Sequence, residues 1–142
     1  MKSDKKKIVS WAAVLLCMAV IFILSAQKGE ESQELSDILI VIFGIELSSD
    51  FVRTCAHFLE YAGLSVLVYN ALWQTCGYAR PFLAVVISSV YAVTDEVHQL
   101  FVEGRACQIT DIIIDSIGAA AGIAVLTALI FVCRKTRRRK QA

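Results

Sequence analysis

The chain contains, at positions 94–115, the stretch TDEVHQLFVEGRACQITDIIID, which joins two apolar segments. Five acidic residues, one of the two histidines and one arginine lie within it. Burying charge in apolar surroundings costs free energy, so this clustering requires an explanation. We interpret the rest of the sequence as an arrangement that holds this stretch at one end of a helical bundle.

The composition is typical of a membrane protein. Of the 142 residues, 57% are hydrophobic, the mean hydropathy is +0.64 and proline occurs once. This length suits one domain, and long apolar runs predict helices, each needing about 20 residues to cross a bilayer. We therefore expect residues 1–142 to form a single all-α membrane domain.

Four apolar runs define the predicted transmembrane helices, at residues 8–26, 54–77, 82–102 and 110–133. The third and fourth reach spanning length only by including acidic residues of the stretch quoted above. A cleaved signal peptide is the alternative for the first run. Its apolar region should, however, be about 7–15 residues long and end at a small-x-small site, and neither feature is present.

The first loop has an apolar patch of its own. Residues 27–53 are polar and acidic overall, but residues 35–43 are mostly apolar and are followed by Gly44. The patch is too short to span a bilayer, so it predicts a short interfacial or re-entrant helix in the first outer loop.

Lysine and arginine are concentrated in two tails. Tail 1–7 has four lysines and tail 134–142 has six basic residues, with Arg80 in the connection on the same side. Only Lys28, Arg53 and Arg105 lie on the other side. The positive-inside rule therefore predicts that both termini are cytoplasmic. We do not expect nucleic-acid binding, because basic clusters beside apolar spans are topology signals first and contacts for anionic lipids second.

This orientation brings three sets of polar residues to the outer end of the bundle. They are His57 and Glu60 in the second helix, Asp95, Glu96, His98 and Gln99 in the third, and Asp111 and Asp115 in the fourth. The sequence thus predicts one polar pocket that faces outside.

The fourth helix indicates how two of these acids are oriented. Asp111, Asp115, Gly118 and Gly122 share one stripe of the helix. The glycines form a GxxxG motif, which allows another helix to approach closely. The two aspartates should therefore face the tightest part of the bundle.

The candidates on the second and third helices have structural alternatives. His57 and Glu60 form either a satisfied hydrogen bond between helices or a metal-binding or proton-transfer pair. Asp95 either braces the loop or belongs to the site. Glu96 and His98 are candidates for a general base and a ligand.

The remaining candidates also allow two interpretations. Asp111 and Asp115 resemble paired acids that hold Mg²⁺ against a diphosphate, but an acid at a helix N-terminus is also favoured by the macrodipole. Arg105 either binds a phosphate or pairs with the acids. Ser25 and Gln27, at the end of the first helix, are interpreted only as loop caps.

The five cysteines show no CxxC pair and no metal-ligand spacing. Most are expected to be small core residues. Cys55 and Cys107 both fall near the outer face, which makes them the one plausible disulfide.

Together these motifs resemble the VanZ-like family of bacterial membrane proteins, named for the teicoplanin-resistance protein of glycopeptide-resistance clusters. The matching segments are Ser25-x-Gln27-x-Gly29, Ala56-His57-Phe58-x-Glu60-Tyr61, Thr94-Asp95-Glu96-x-His98-Gln99-x-Phe101, Gly104-Arg105, and Asp111-x-x-x-Asp115-x-x-Gly118-x-x-x-Gly122. Two positions depart from the family pattern: Arg53-Thr54-Cys55 lacks a lysine before the His-x-x-Glu-Tyr block, and Glu103 replaces a proline before Gly-Arg. The resemblance implies a multi-pass protein of the bacterial plasma membrane with a link to low-level teicoplanin resistance.

Our first functional hypothesis is an envelope enzyme that acts on a lipid-linked or lipid-phosphate substrate at the outer leaflet. The catalytic candidates are His57, Glu60, Glu96 and His98, and the substrate-binding candidates are Arg105, Gln99 and Asp95. A divalent metal ion (Mg²⁺, Mn²⁺ or Zn²⁺) would be held by Glu60, Glu96, Asp111 and Asp115.

The second hypothesis is a non-catalytic envelope protein that binds a membrane lipid, a cell-wall precursor or a glycopeptide. A transporter is less favoured, because four helices with a polar cluster at one end lack the mid-membrane site and repeat symmetry usual in transporters. The sequence does not indicate the oligomeric state.

Overall fold

The computed structural model of the protein describes residues 2–27, Ile38, Ile42 and 48–141. This part of the chain forms four helices and contains no strand. The helices are α1 (Lys2–Ser25), α2 (Ser49–Cys76), α3 (Pro81–Gln99) and α4 (Ile109–Gln141). The predicted all-α class is therefore confirmed for the described residues.

Local sequence signals set the ends of the central helices. Ser48 caps α2, where its hydroxyl accepts a hydrogen bond from the Phe51 N–H at 3.3 Å and satisfies an amide of the first turn. Gly77 ends α2 with a left-handed φ of 76°, and its N–H donates to the Trp73 carbonyl oxygen at 2.8 Å. Glycine adopts this conformation without the strain caused by a Cβ. Pro81 then begins α3, at a position where no amide hydrogen is needed.

The observed helices differ from the predicted ranges at their ends. α2 begins at Ser49 rather than at 54, and α4 continues to Gln141 rather than stopping at 133. α3 ends at Gln99, and the Phe101 N–H donates to the His98 carbonyl oxygen at 2.9 Å in the turn that follows. The basic residues of the C-terminal tail are therefore carried on a helix.

α2 and α4 pack backbone against backbone. A Cβ placed on Gly118 would lie 3.1 Å from the carbonyl carbon of Phe58, and one on Gly122 would lie 2.9 Å from the carbonyl carbon of Ala62. These four residues form the glycine seam. It advances by four residues in the same direction on both helices, so α2 and α4 are parallel. The close approach predicted from the GxxxG motif is confirmed.

Side-chain contacts give the direction of the other helices. Near the start of α1, the Trp11 indole donates to the Thr75 hydroxyl at the end of α2, at 3.0 Å. At the end of α1, the Gln99 amide of α3 donates to the Ser25 hydroxyl at 3.4 Å. α1 therefore runs antiparallel to α2 and parallel to α3.

This up-and-down arrangement gives the bundle two different ends. The polar end comprises residues 22–27, 53–61 and 95–115, and the basic end comprises residues 2–11, 69–81 and 127–141. The basic residues near both termini thus lie at the same end of the bundle, opposite the predicted site residues.

The core lies along α2. Tyr61 and Val68 are fully buried and Leu64 is 1% exposed. Ser65 is buried among them, and its hydroxyl donates to the carbonyl oxygen of Ala119 on α4 at 2.9 Å. This polar atom in the core is therefore satisfied by the neighbouring helix.

Within the described residues, two helices are long and apolar enough, by length and composition, to cross a membrane. They are Asp4–Ser25 in α1 and Ile109–Lys140 in α4. Both expose large apolar side chains, such as Leu16 and Phe131. A helix with so much exposed apolar surface is suited to lipid surroundings rather than to water.

Two further predictions concern a helix in the first loop and a disulfide between Cys55 and Cys107. The short helix predicted in the first loop lies outside the described residues, apart from Ile38 and Ile42. All five cysteines are free thiols, so Cys55 and Cys107 do not form a disulfide in this structure.

Candidate functional site

The end of α3 carries three polar side chains into the bundle. Asp95 and Gln99 are each 2% exposed, and Glu96 is fully buried. Positions 95 and 99 are one helical turn apart and 96 adjoins 95, so a single face of the helix holds all three. The same face has only small residues nearer the helix start, at 84, 88 and 92. The three buried polar side chains therefore need partners inside the protein.

The end of α1 supplies some of these partners. Ser25 accepts a hydrogen bond from Gln99, and both side chains lie beside the Asp95 carboxylate. The Arg105 Nε donates to the Gln27 carbonyl oxygen at 3.1 Å. These two residues of α1 and its C-terminal turn thus tie α1 to α3 and to the loop that follows α3.

The connection between α3 and α4 folds back onto the end of α3. Gly104 has a φ of 76°, which allows the chain to turn there, and the Arg105 N–H donates to the Val102 carbonyl oxygen at 3.1 Å. The Gln108 N–H then donates to Glu96 Oε2 at 2.8 Å. Glu96 is held through this oxygen, whereas its Oε1 has no hydrogen-bond partner among the described residues.

His57 of α2 faces Asp115 of α4 at the polar end of the glycine seam. His57 Nδ1 lies 3.7 Å from Asp115 Oδ1, which is too long for a hydrogen bond. The two residues are 8% and 1% exposed, respectively. Neither His57 Nδ1 nor either Asp115 carboxylate oxygen has a hydrogen-bond partner in the described part of the chain. Buried polar atoms of this kind are costly, so the pair is suited to receive a proton, a water or a polar ligand group.

Positive charge lies beside this pair. A small cleft is lined by Arg53, Thr54, His57, Asp111 and Ile114. Burial, followed by the neighbouring Arg53, lowers the pKa of the Arg105 guanidinium, and the carboxylates of Asp95, Glu96 and Asp111 oppose this shift. An arginine keeps its charge in proteins, so Arg105 supplies a cation among three acids.

Glu60 and Tyr61 lie one turn further along α2 than His57. The Tyr61 side chain is fully buried, and its hydroxyl has no hydrogen-bond partner within the described ranges. Glu60 is partly buried and lies near Asp95 of α3 and Cys17 of α1. Glu60 therefore lies within the polar end, on the side of α2 that faces α1.

An apolar groove of about 740 Å³ begins at the level of Glu60. Its lining includes Cys17 of α1, Leu59 and Gly63 of α2, and Val125 of α4. A Cβ placed on Gly63 would meet no atom within 4 Å, so the groove is open there. The groove thus begins within the polar end, at Phe58 and Leu59, and runs along the bundle to Leu129.

His98 lies apart from the other histidine. Its ring stacks on Phe22 of α1, with the ring centroids 4.1 Å apart and the planes at 25°. His98 Nε2 is buried and has no hydrogen-bond partner among the residues that the structure describes. Of the two histidines, it is therefore His57 that faces Asp115.

The carboxylates do not form an assembled metal site. In the described ranges, no group of three or more His, Cys, Asp or Glu side chains is placed to hold a metal ion. The four predicted ligands, Glu60, Glu96, Asp111 and Asp115, all belong to those ranges. No three of these four side chains therefore converge on one metal position in this structure.

The structure adds residues to the site that sequence reasoning did not select: Ser25, Gln27, Arg53, Tyr61 and Gln108. The Ser25-x-Gln27 motif was the available signal for the first two, because it recurs in the family pattern. Gln108 contributes through a backbone amide, which no pattern of side chains reveals.

The fold and this site define a class: an all-α protein with long apolar helices and a buried cluster of ionisable residues at one end. The profile of the VanZ/LLP1 family matches residues 10–132. The chain therefore belongs to the VanZ/LLP1 family, and the resemblance predicted from its motifs is confirmed. No curated protein and no solved structure matches the chain. Family membership and the two apolar helices together indicate a membrane protein.

Proposed function

We propose that the protein is a multi-pass protein of the bacterial plasma membrane whose polar end acts on a lipid phosphate or a lipid-linked substrate at the outer leaflet. The observation that carries this proposal is the His57–Asp115 pair, which is buried, 3.7 Å apart and without hydrogen-bond partners among the described residues. A ligand that reached the pair would supply the partners that the protein does not.

Helix length and charge support the membrane arrangement. Each of the four helices has at least 19 residues, or about 28 Å at about 1.5 Å per residue, close to the bilayer core of about 30 Å. The positive-inside rule assigns the basic end to the cytoplasm. The polar end then faces outside.

The apolar groove supports a lipid as the ligand. It begins at Phe58 and Leu59 and extends along α2 and α4 past Gly63 to Leu129. An acyl or prenyl chain in this groove would bring an attached phosphate to the polar end, where Arg105 and Arg53 are the available cations.

Hydrolysis of a phosphate monoester is the reaction that this arrangement suits. Arg105 binds the phosphate, and a water oxygen forms a bond to phosphorus while its proton passes to His57 Nδ1. The bond from phosphorus to the lipid oxygen breaks, and that oxygen takes the proton from His57, which releases inorganic phosphate and an alcohol. Asp115 stabilises the imidazolium that exists between these proton transfers.

The test uses purified protein in lipid nanodiscs with phosphatidic acid and a prenyl phosphate as probes. Phosphate release by the wild type, and a decrease of about a hundredfold in His57→Gln, are expected. Asp4→Asn changes an acid at the basic end and serves as a matched control that keeps full activity. No release from either probe by well-folded wild type would contradict the enzymatic proposal.

A binding function without turnover is the second candidate. It is favoured by the distance of 3.7 Å between His57 Nδ1 and Asp115 Oδ1, which is too long for the hydrogen bond that orients a catalytic histidine. In this case the polar end and the apolar groove hold a lipid, a cell-wall precursor or an acylated glycopeptide such as teicoplanin.

Teicoplanin susceptibility tests whether the polar end takes part in resistance. A bacterial host carrying the wild type is compared with one carrying Glu96→Gln at equal abundance in the membrane. Protection by the wild type alone would indicate a working site. Equal protection would mean that the charge of Glu96, which Gln108 holds through one oxygen, serves only the structure.

A further inference from the structure

The basic end of the bundle contains a second groove, which the proposed function does not use. It has a volume of about 460 Å³ and lies between the end of α2, the turn into α3, and α4. The aromatic residues Tyr69, Trp73 and Tyr78 line it, and Arg134 lies at its charged end. Trp73 is 37% exposed, so its ring is accessible to a ligand, whereas the Arg80 guanidinium lies over the Tyr78 ring, 4.6 Å from its centroid.

Arg134 also belongs to a neighbouring basic cleft on α4. That cleft is lined by Phe131, Arg134, Lys135, Arg138 and Arg139. Neither lining contains an acidic residue in the described part of the chain, and no acid follows Asp115 in the sequence. The positive charge here is therefore complementary to an anion.

The floor of the groove distinguishes a lipid from a free anion. Phe131, which is 67% exposed, lies one helical turn before Arg134, and Ile130 and Thr127 continue the surface toward the middle of the bundle. A cation, then aromatic rings, then an apolar surface match the phosphate, the interfacial region and the acyl chains of an anionic lipid in that order. A dissolved phosphate or a nucleic acid would gain nothing from the apolar part.

We infer that this groove binds an anionic phospholipid of the leaflet that surrounds the basic end, with its phosphate on Arg134 and its acyl chains along Phe131 and Ile130. The inference requires the chain to lie in a bilayer, but it does not depend on the function proposed for the polar end.

The test measures quenching of Trp73 fluorescence by brominated lipids in reconstituted vesicles. The chain has two tryptophans, so Trp11→Phe leaves Trp73 as the only reporter. Brominated phosphatidylglycerol should quench Trp73 with an apparent affinity about fivefold higher than brominated phosphatidylcholine. Raising the salt from about 0.1 M to about 1 M should reduce this preference, because the charges are then screened.

Two matched variants locate the preference. Arg134→Gln should abolish it, whereas Arg137→Gln, which removes the same charge from a residue that lines neither cleft, should retain it. Equal quenching by the two lipids in the Trp11→Phe protein would overturn the inference without any further variant. An equal loss of preference in Arg134→Gln and Arg137→Gln would also overturn it, since it would indicate a diffuse attraction by the basic tail.

Discussion

The two ends of the bundle treat charge in opposite ways. At the polar end, Asp95, Glu96 and Asp115 are at most 2% exposed, and each retains at least one carboxylate oxygen without a hydrogen-bond partner among the described residues. At the basic end, every arginine and lysine from Arg134 to Lys140 is exposed.

Exposed charge costs the fold little free energy, because water or lipid headgroups solvate it. Such charge is sufficient to orient a helix in the membrane or to attract an anionic lipid. Charge that is buried without partners destabilises the fold. Its concentration at one end therefore indicates a site, and the two ends should respond differently to substitution.

The largest expected effect concerns the glycine seam, which holds the two ends in register. Gly122→Ala should lower the free energy of unfolding by about 1–3 kcal/mol, because its Cβ would meet the backbone of Ala62. Thermal unfolding in detergent, followed by circular dichroism, measures the change.

Gly63→Ala is the matched control for the seam, because a Cβ there meets nothing within 4 Å. It should raise stability by up to about 1 kcal/mol through helix propensity. Equal losses of stability in the two variants would show that α2 and α4 are not in close contact at Gly122.

The next effect separates stability from function at the polar end. Asp115→Asn should reduce lipid-phosphate turnover about a hundredfold, while the melting temperature stays the same or rises. The reason is that a neutral amide costs less than a buried carboxylate without partners. A lower melting temperature would instead identify Asp115 as a structural brace.

Two tyrosines allow a smaller and closely matched comparison. The Tyr91 hydroxyl donates to the Met18 carbonyl oxygen at 2.6 Å, so Tyr91→Phe should destabilise the protein by about 1 kcal/mol. The Tyr61 hydroxyl has no partner among the described residues, so Tyr61→Phe should leave the unfolding free energy unchanged or raise it slightly. A larger loss of stability in Tyr61→Phe than in Tyr91→Phe would mean that the Tyr61 hydroxyl has a bound partner in solution.

The smallest effect is expected at the basic end. Trp11→Phe removes the hydrogen bond from the indole to Thr75, which lies at the surface, and should cost only about 0.5 kcal/mol. The melting temperatures of Trp11→Phe and Tyr91→Phe, measured under the same conditions, show which variant loses more stability. A loss as large as that of Tyr91→Phe would show that hydrogen bonds at the basic end contribute as much as those in the interior.

Spacing along the sequence was sufficient to predict which helix faces meet. Asp115 and Gly118 share a stripe at helical spacing, and the structure buries both against α2. The apolar runs likewise predicted four helices, because a long apolar run has few other stable arrangements. These features depend on periodicity, which a sequence shows directly.

Contacts made by the backbone could not be predicted in the same way. Glu96 accepts from the Gln108 amide and Arg105 donates to the Gln27 carbonyl, and both bonds depend on where α1 and α3 end. The separation of His98 from His57 was also not evident, since it depends on which neighbour each face of α3 meets. The helical state of the basic tail was missed because charge alone suggested an exposed tail rather than a continuation of α4.

The glycine seam has a consequence for how the site can vary. A slip of one residue between α2 and α4 would displace His57 from Asp115 by about 1.5 Å along the helix axis. It would also place a side chain where Gly118 or Gly122 now meets backbone. The two glycines therefore permit a single register, and they fix the separation of His57 and Asp115, which neither of them touches. Substitutions that keep both glycines can change the other residues that line the site and, with them, the molecule that the site would bind.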